Sequence, residues 1–193
     1  MEPGIIILAA GSSTRMGQSK QLLEINGQSL LEHAASEALR VSNMVLVVLG
    51  AQYEKHHAAI VQLPVHSVEN KHWKKGMGGS LKTGLSYMLS GFPMLDSVLI
   101  LVCDQPFLKA ELLEKIIEAS KETKNSIVAS AYGKTVGVPA LFKRPVFQNL
   151  LLLNDKDGAK AILLELSNSV VTVNFPGGEV DLDTMEDYES FVK

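Results

Sequence analysis

Three uninterrupted apolar runs, at residues 5–8, 44–49 and 98–102, constrain the fold more than any other feature of this sequence. Each run is continuously hydrophobic and does not alternate with polar residues. That pattern is typical of strands that are covered on both faces, as in parallel sheets with helices on either side. We therefore expect these runs to be buried parallel strands.

Helical patterns separate the three runs. Apolar residues recur at helical spacing over residues 30–38, 81–89 and 112–117. Strands that alternate with helices indicate βαβ crossovers and a doubly wound sheet. The sequence thus predicts an α/β fold in three layers, with a mostly parallel central sheet.

The last third of the chain is less regular. It predicts strands at residues 127–131, 138–142 and 170–173, helices at 145–152 and 159–166, and a closing helix that Thr184 caps and that runs through residue 191. No repeat, low-complexity tract or linker divides the chain. We therefore expect residues 1–193 to form a single domain.

Composition narrows the possible partners and compartments. The net charge is −3, from 18 basic and 21 acidic residues, and this disfavours a dedicated nucleic-acid binder. No apolar stretch approaches the roughly 20 residues of a membrane helix, and the run at residues 5–10 is too short for a signal peptide. Cys103 is the only cysteine, so no intrachain disulfide forms. We expect a cytoplasmic protein with no nucleic-acid or membrane partner.

The loop after the first strand has the composition of a phosphate-binding site. Ligands of such sheets bind beyond the carboxyl ends of the strands, and the three runs lead into Gly11, Gly50 and Asp104. Small residues allow a flat ligand to approach the backbone, the N–H groups of a Ser/Thr run form an anion nest, and two cations suit a triphosphate. These residues are Ala9, Ala10, Gly11, Ser12, Ser13, Thr14, Arg15 and Lys20.

The loop matches neither a Walker A sequence nor a dinucleotide fingerprint. The alternative interpretation is a Gly/Ser loop with two solvated cations.

A family resemblance supports the first interpretation. The pattern Leu-Ala-Ala-Gly-x-x-x-Arg-Met-Gly-x-x-Lys, from Leu8 to Lys20, resembles the signature of nucleotidyltransferases with a Rossmann-like fold. It is most similar to that of the molybdenum cofactor cytidylyltransferases, which join CTP to molybdopterin and release pyrophosphate. Isoprenoid-pathway and sugar-phosphate nucleotidyltransferases carry close versions of the same signature. The resemblance implies the three-layer nucleotidyltransferase fold and places Leu8 to Ser13, Arg15 and Lys20 against the nucleotide.

A second match covers residues 70–84. The cytidylyltransferases have a similar Asn-x-x-Trp-x-x-Gly-Met segment followed by Ser, and here it contains Asn70, Gly76, Met77 and Ser80. By resemblance these four residues lie near the nucleotide base, where the segment opens a helix. The alternative for Trp73 is a partly buried packing aromatic.

A third match supplies an acid. Asp104 ends a buried apolar strand, where a carboxylate must be exposed, paired or metal-bound. The resemblance implies that Asp104 is a Mg²⁺ ligand, while the alternative is a turn-forming aspartate. We expect the neighbouring Cys103 to fill space in the core and not to act as a nucleophile.

A fourth match, over residues 181–188, contains Asp181 and Asp183. It implies a second metal ligand, for which we favour Asp183. The alternative is that these acids only cap the closing helix.

Three departures from the family pattern bear on the substrates. Val138 replaces a histidine and Lys160 an arginine, both in the half that resembles the acceptor side. Ala10 stands where guanylyltransferase relatives carry a second glycine, and its methyl group favours cytosine over a purine.

The pair His56-His57 lacks a zinc-site context, so we expect two solvated histidines on a helix.

The combined reading is a Mg²⁺-dependent transfer of CMP from CTP to molybdopterin, with the catalytic residues Arg15, Lys20 and Asp104. A recipient molybdoenzyme is an implied transient partner. Two alternatives stay open: another nucleotidyltransferase, acting on a sugar phosphate or polyol phosphate, and a non-catalytic nucleotide-binding factor that delivers the cofactor.

Overall fold

The computed structural model describes residues 2–180, 182 and 184–192, with the side chains of Arg15 and Val192 outside that description. The strands are β1 (Gly4–Ala9), β2 (Glu24–Ile25), β3 (Gln28–Ser29), β4 (Val45–Leu49), β5 (His66–Glu69), β6 (Ser97–Val102), β7 (Ile127–Tyr132), β8 (Thr135–Lys143) and β9 (Val170–Asn174). The α-helices are α1 (Leu30–Leu39), α2 (Tyr53–Ile60), α3 (Met77–Gly91), α4 (Ala110–Glu122), α5 (Phe147–Leu151), α6 (Ala159–Glu165) and α7 (Met185–Val192).

Seven of the strands in the described part of the chain form one sheet, in the order β5-β4-β1-β6-β8-β7-β9. The strand β1 lies between β4 and β6 and pairs in parallel with both. The strand β8 is antiparallel to its neighbours β6 and β7, while β9 is again parallel to β7. The predicted α/β fold with a mostly parallel central sheet is therefore confirmed.

The three apolar runs are the central strands because both of their faces are covered. Ile5 and Ile7 belong to a core that contains residues of α1, α2 and α4, whereas Ile6 belongs to a core with α3, α5 and α6. The side chains of all three isoleucines are fully buried. This alternation between two cores gives the three layers that the continuous runs predicted.

Short polar side chains cap the N-termini of the first and last helices. Ser29 Oγ accepts from the Glu32 amide at 3.2 Å, and Glu32 Oε2 accepts from the Ser29 amide at 2.9 Å, which is a capping box at the start of α1. Thr184 and Asp187 make the same reciprocal bonds before α7. The predicted cap at Thr184 is confirmed.

The helix α7 packs on the chain that follows the first loop. Leu182 joins Met16, Leu23 and Leu30 in a third, smaller core, and Met185, Tyr188 and Phe191 pack against it. The Tyr188 hydroxyl donates to the Glu24 carbonyl at 2.8 Å. The methionine of the Arg-Met-Gly signature is thus a packing residue that anchors the first loop.

Some elements were not predicted from the pattern. Helix α2 and the edge strand β5 are short and carry mixed polar and apolar residues, so their periodicity is weak. The helix expected over residues 145–152 is divided, with a 3-10 turn at Arg144–Val146 before α5. None of the helices in the described ranges has the length and apolar character that crossing a membrane requires.

The close packing of α3 on the sheet gives a stability test at Gly84. A Cβ atom at this position meets Ile6 Cγ2 and Val48 Cγ2 at 2.8 Å. We expect Gly84→Ala to lower the free energy of unfolding by about 1–3 kcal/mol through overpacking, measured by urea denaturation. Gly91→Ala is the matched control, because this glycine of the same helix faces open space. The control should be neutral or stabilising by up to about 1 kcal/mol, and equal losses in both variants would contradict the packing argument.

Candidate active site

The carboxyl ends of β1, β4 and β6 meet at one edge of the sheet, because the three strands are parallel neighbours. The Ala10 carbonyl accepts from the Ala51 amide at 3.1 Å, and the Asn70 amide donates to the Leu49 carbonyl at 2.8 Å. These bonds fasten the chain after β1 to the chain after β4, and the chain after β5 to β4. The segments that the sequence singled out therefore share one edge.

The loop after β1 folds into two 3-10 turns, Thr14–Met16 and Lys20–Leu22. Ser13 and Gly17 flank the first turn in left-handed conformations, with φ of 52° and 71°. The backbone of Arg15 lies in this turn, and its side chain lies outside the described part of the chain. The two turns place Ser13 and Lys20 beside each other, and the Lys20 amide donates to Ser13 Oγ at 3.1 Å.

Lys20 and Asp104 form an ion pair across the edge of the sheet. Lys20 Nζ lies 2.5 Å from Asp104 Oδ2, although the two residues are 84 positions apart. Their side chains are 19% and 20% exposed, so the pair is largely shielded but still open to a ligand. The predicted cation and the predicted acid are thus in direct contact.

A cavity of about 310 Å³ opens beside this loop. It is lined by Leu8, Ala10, Gly11, Ser12, Trp73, Lys74, Gly76, Met77 and Ser80. Seven of these nine residues are nucleotide-binding candidates from the sequence, drawn from both the first and the second matched segments. Trp73 and Lys74 complete the wall, with the Lys74 ammonium 5.5 Å from the centroid of the Trp73 ring. The volume and the mixed lining suit a planar ring with polar edges.

Asn70 does not line the cavity but is hydrogen-bonded to Ser80, which does. Asn70 Nδ2 donates to Ser80 Oγ at 2.9 Å, and Asn70 Oδ1 accepts from the His72 amide at 3.0 Å. Asn70 and Ser80 are both buried. Because the Ser80 oxygen accepts from Asn70, the Ser80 hydroxyl keeps its own proton for another acceptor.

The cavity wall is held in place by the segment of residues 153–158. The Gly78 amide donates to the Asp155 carbonyl at 2.9 Å. Lys82 Nζ donates to the Leu153 carbonyl at 2.8 Å and to Asp155 Oδ1 at 2.6 Å, and this side-chain bond lowers the pKa of Asp155. The first turn of α3 therefore rests on a segment from the other half of the chain.

Two predicted nucleotide-binding residues turn away from the cavity. Ala9 packs in the core with α1 and α4, on the opposite face of the sheet from Leu8. Ser13 Oγ donates to the side chain of Gln21 at 2.9 Å. Such alternation is what the two-residue period of a strand imposes on Leu8 and Ala9.

Asp104 is chemically suited to hold a divalent cation. Mg²⁺ takes one or two carboxylates from a protein and fills its remaining positions with phosphate oxygens and water. Within the described residues no three His, Cys, Asp or Glu side chains gather into a preformed metal cage. Asp181 and Asp183 lie outside the described residues.

Cys103 is buried beside Asp104, and burial raises the pKa of its thiol to about 12. A thiol with that pKa is not a nucleophile at neutral pH. The expectation that Cys103 fills space in the core is confirmed.

Sequence reasoning missed two buried polar residues beneath the loop. Gln21 lies under the first loop, and His56 of α2 is fully buried and sits 2.6 Å from Ser19 Oγ. The expectation of two solvated histidines was therefore wrong for His56. Helix α2 packs on the second 3-10 turn, and no local pattern could reveal that contact.

The chain is similar over most of its length to known proteins and to solved structures. The family model of the MobA-like NTP transferase domain matches residues 5–170. Purine catabolism protein PucB of Bacillus subtilis is 28% identical over 95% of this chain and 93% of its own length. A molybdenum cofactor guanylyltransferase of Vibrio campbellii is 27% identical over 96% of this chain and 93% of its own.

Among solved structures, Rv0371c from Mycobacterium tuberculosis H37Rv has a TM-score of 0.80 and 26% identity, covering 100% of this chain and 98% of that chain. The structure of Rv0371c in complex with manganese has a TM-score of 0.77 over the same coverage.

Gly76 gives a test of the cavity wall. Its φ is 132°, and a Cβ atom there would overlap the carbonyl oxygen of Asp155. We expect Gly76→Ala to lower the free energy of unfolding by about 3 kcal/mol, because backbone strain and overlap add together. Gly133→Ala is the control, since Gly133 also has a positive φ but open space around it, and it should cost about 1 kcal/mol. Similar losses in the two variants by urea denaturation would mean that the overlap with residues 155–156 contributes nothing to the cost.

Proposed function

The chain belongs to the family of the MobA-like NTP transferase domain, and from this premise we propose that it transfers CMP from CTP to the terminal phosphate of molybdopterin. The observation that carries the proposal is the contact between Lys20 and Asp104 at the same edge of the sheet as the cavity of about 310 Å³. A cation and an acid at this edge suit the phosphates of a metal–nucleotide complex. The adjacent cavity suits its base.

The proposed reaction is a displacement at phosphorus. An oxygen of the acceptor phosphate attacks the α-phosphorus of the nucleotide, the bond from that phosphorus to the bridging oxygen breaks, and pyrophosphate leaves. A phosphate monoester has its second pKa near roughly 6, so the attacking oxygen is already ionised and needs no general base. The protein's task is to align the two phosphates and to neutralise their charge.

Three residues carry that task in the proposal. Lys20 stabilises the charge that grows on the α-phosphate, and Arg15 holds the β- and γ-phosphates in a fork. Asp104 would hold a divalent cation, with Asp183 as the second ligand that the family resemblance implies. Such a cation, Mg²⁺ by preference, would supply additional charge neutralisation to the phosphates. The manganese complex of Rv0371c supports a divalent cation in this fold.

Ala10 supports CTP as the nucleotide donor. It lines the cavity, and its carbonyl is fixed by the Ala51 amide, so the loop cannot retract easily to admit a larger ring. The competing donor is GTP, and the observation that favours it is the 27% identity to a molybdenum cofactor guanylyltransferase. That relative also supports molybdopterin as the acceptor class. A recipient molybdoenzyme as a later partner belongs to the same proposal.

The assay that tests the proposal is pyrophosphate release by the full chain with Mg²⁺ and each of the four nucleoside triphosphates, with and without molybdopterin. We expect release only when CTP and molybdopterin are both present. If GTP is the only nucleotide that gives release, GTP and not CTP is the donor. If release requires a sugar phosphate or polyol phosphate, that compound and not molybdopterin is the acceptor. Nucleotide binding without turnover under every condition would favour a cofactor-delivery factor.

Lys20 gives the sharpest mutational test of this mechanism. We expect Lys20→Ala to lower kcat by about a hundredfold to a thousandfold, because a preorganised charge opposite the reacting phosphate is lost. The fold should survive, with Tm within about 3 °C of the parent chain, since both side chains of the pair are partly exposed and neither belongs to an apolar core. Lys71→Ala, an exposed lysine one residue after Asn70, is the control. Near-normal turnover of Lys20→Ala would remove Lys20 from the mechanism.

A further inference from the structure

A chain of polar side chains lies buried beneath the first loop and continues into helix α2. Gln21 is 2% exposed and His56 is fully buried. Burying polar groups is costly unless they are hydrogen-bonded, so their bonds show what the groups hold in place.

Gln21 binds the loop on both sides. Its Nε2 donates to the Gly11 carbonyl at 2.7 Å. Its Oε1 accepts from Ser13 Oγ and from Ser19 Oγ, both at 2.9 Å. One amide therefore ties the beginning of the loop to its end, across the stretch that faces the nucleotide in the proposal.

The directions of these bonds define the state of His56. Because the Ser19 hydroxyl gives its proton to Gln21, its oxygen accepts from His56 Nε2 at 2.6 Å. The proton of the ring is then on Nε2, and Nδ1 has no hydrogen-bond partner within the described residues. Burial lowers the pKa of His56, with a further contribution from the charge of Lys55, and this favours the neutral ring with its single proton on Nε2.

Lys20 stands at the end of the same network. Its backbone amide donates to Ser13 Oγ, the hydroxyl that donates to Gln21. The network thus holds the backbone on both sides of the ammonium group that meets Asp104. A displacement of only about 1 Å at such a group costs up to roughly a hundredfold in rate.

We propose that His56 is a positioning residue for nucleotidyl transfer, which acts through Ser19 and Gln21 to hold the first loop and the side chain of Lys20 in the reactive arrangement. The inference rests on the proposed function for its kinetic part. Its structural part, the immobilised loop, stands independently. A histidine that only packs α2 against the sheet would affect stability but not the loop.

The test compares four variants of the full chain. His56→Phe fills the same space without a donor, His56→Gln places an amide nitrogen near the position of Nε2, and His56→Asn places one near Nδ1. The control is His57→Phe on the same helix, because His57 stacks on Tyr53 and hydrogen-bonds Ser67, and among the described residues no hydrogen bond joins it to the loop. Each variant is measured by amide hydrogen exchange over residues 11–22 without nucleotide, and by kcat and KM for the best nucleotide found in the pyrophosphate assay.

For His56→Phe and His56→Asn we expect exchange in residues 11–22 to rise by about tenfold, and kcat to fall by about tenfold to a hundredfold with KM within threefold. His56→Gln should restore both quantities to within about threefold of the parent chain, and His57→Phe should change neither. Unchanged exchange in His56→Phe would overturn the inference. So would faster exchange with an unchanged kcat, equal effects in His57→Phe, or failure of His56→Gln to restore the loop.

A second variant and a substrate-free measurement keep the test decisive if the first variant or the assay fails. If His56→Phe does not fold, Ser19→Ala breaks the same connection from the half-buried loop side, and the same expectations apply. If the parent chain releases no pyrophosphate with any nucleotide, the proposed function fails. The exchange measurements, which need no substrate, then still decide whether His56 immobilises the loop.

Discussion

The parallel pairing of β1 with β6 is the constraint on which the site depends. Its register sets Leu8 opposite Val102, so the loop after β1 and the chain after β6 leave the sheet side by side. Both strands are apolar and buried on both faces, which leaves polar chemistry only at their ends. Lys20 and Asp104 meet there although 84 positions separate them. The ion pair is a consequence of strand register.

The cavity wall at the start of α3 is shaped more by contacts of the backbone than by contacts of side chains. The segment of residues 153–158 approaches Gly76 and Gly78 so closely that no side chain fits between them. Lys82 adds a bond from α3 to Leu153 and Asp155. The half of the chain that departs most from the family pattern therefore also supports the half that matches it. In the proposed reaction, this contact joins the acceptor side to the nucleotide side.

Buried polarity distinguishes the first loop from an ordinary surface loop. A Gly- and Ser-rich segment has little apolar area with which to fix its own conformation, and here a glutamine, two serines and a histidine do so by hydrogen bonds. Met16 adds an apolar anchor in the small core beneath α7. Networks of this kind favour one geometry because an alternative arrangement would leave further buried polar groups without partners.

The sequence by itself determined the central strands, the helices between them and the segments that meet at the strand ends. Each of these follows from local periodicity or from a contiguous motif, and the structure brings Lys20 to Asp104 and Gly11 to Ser80 as parts of one edge. Only the tertiary structure decided that β8 runs antiparallel, that Asn70 is hydrogen-bonded to Ser80 of the cavity wall, and that His56 is buried against Ser19. Those outcomes depend on contacts between residues far apart in the chain, and a short helix with weak periodicity carries no local sign of which face it buries.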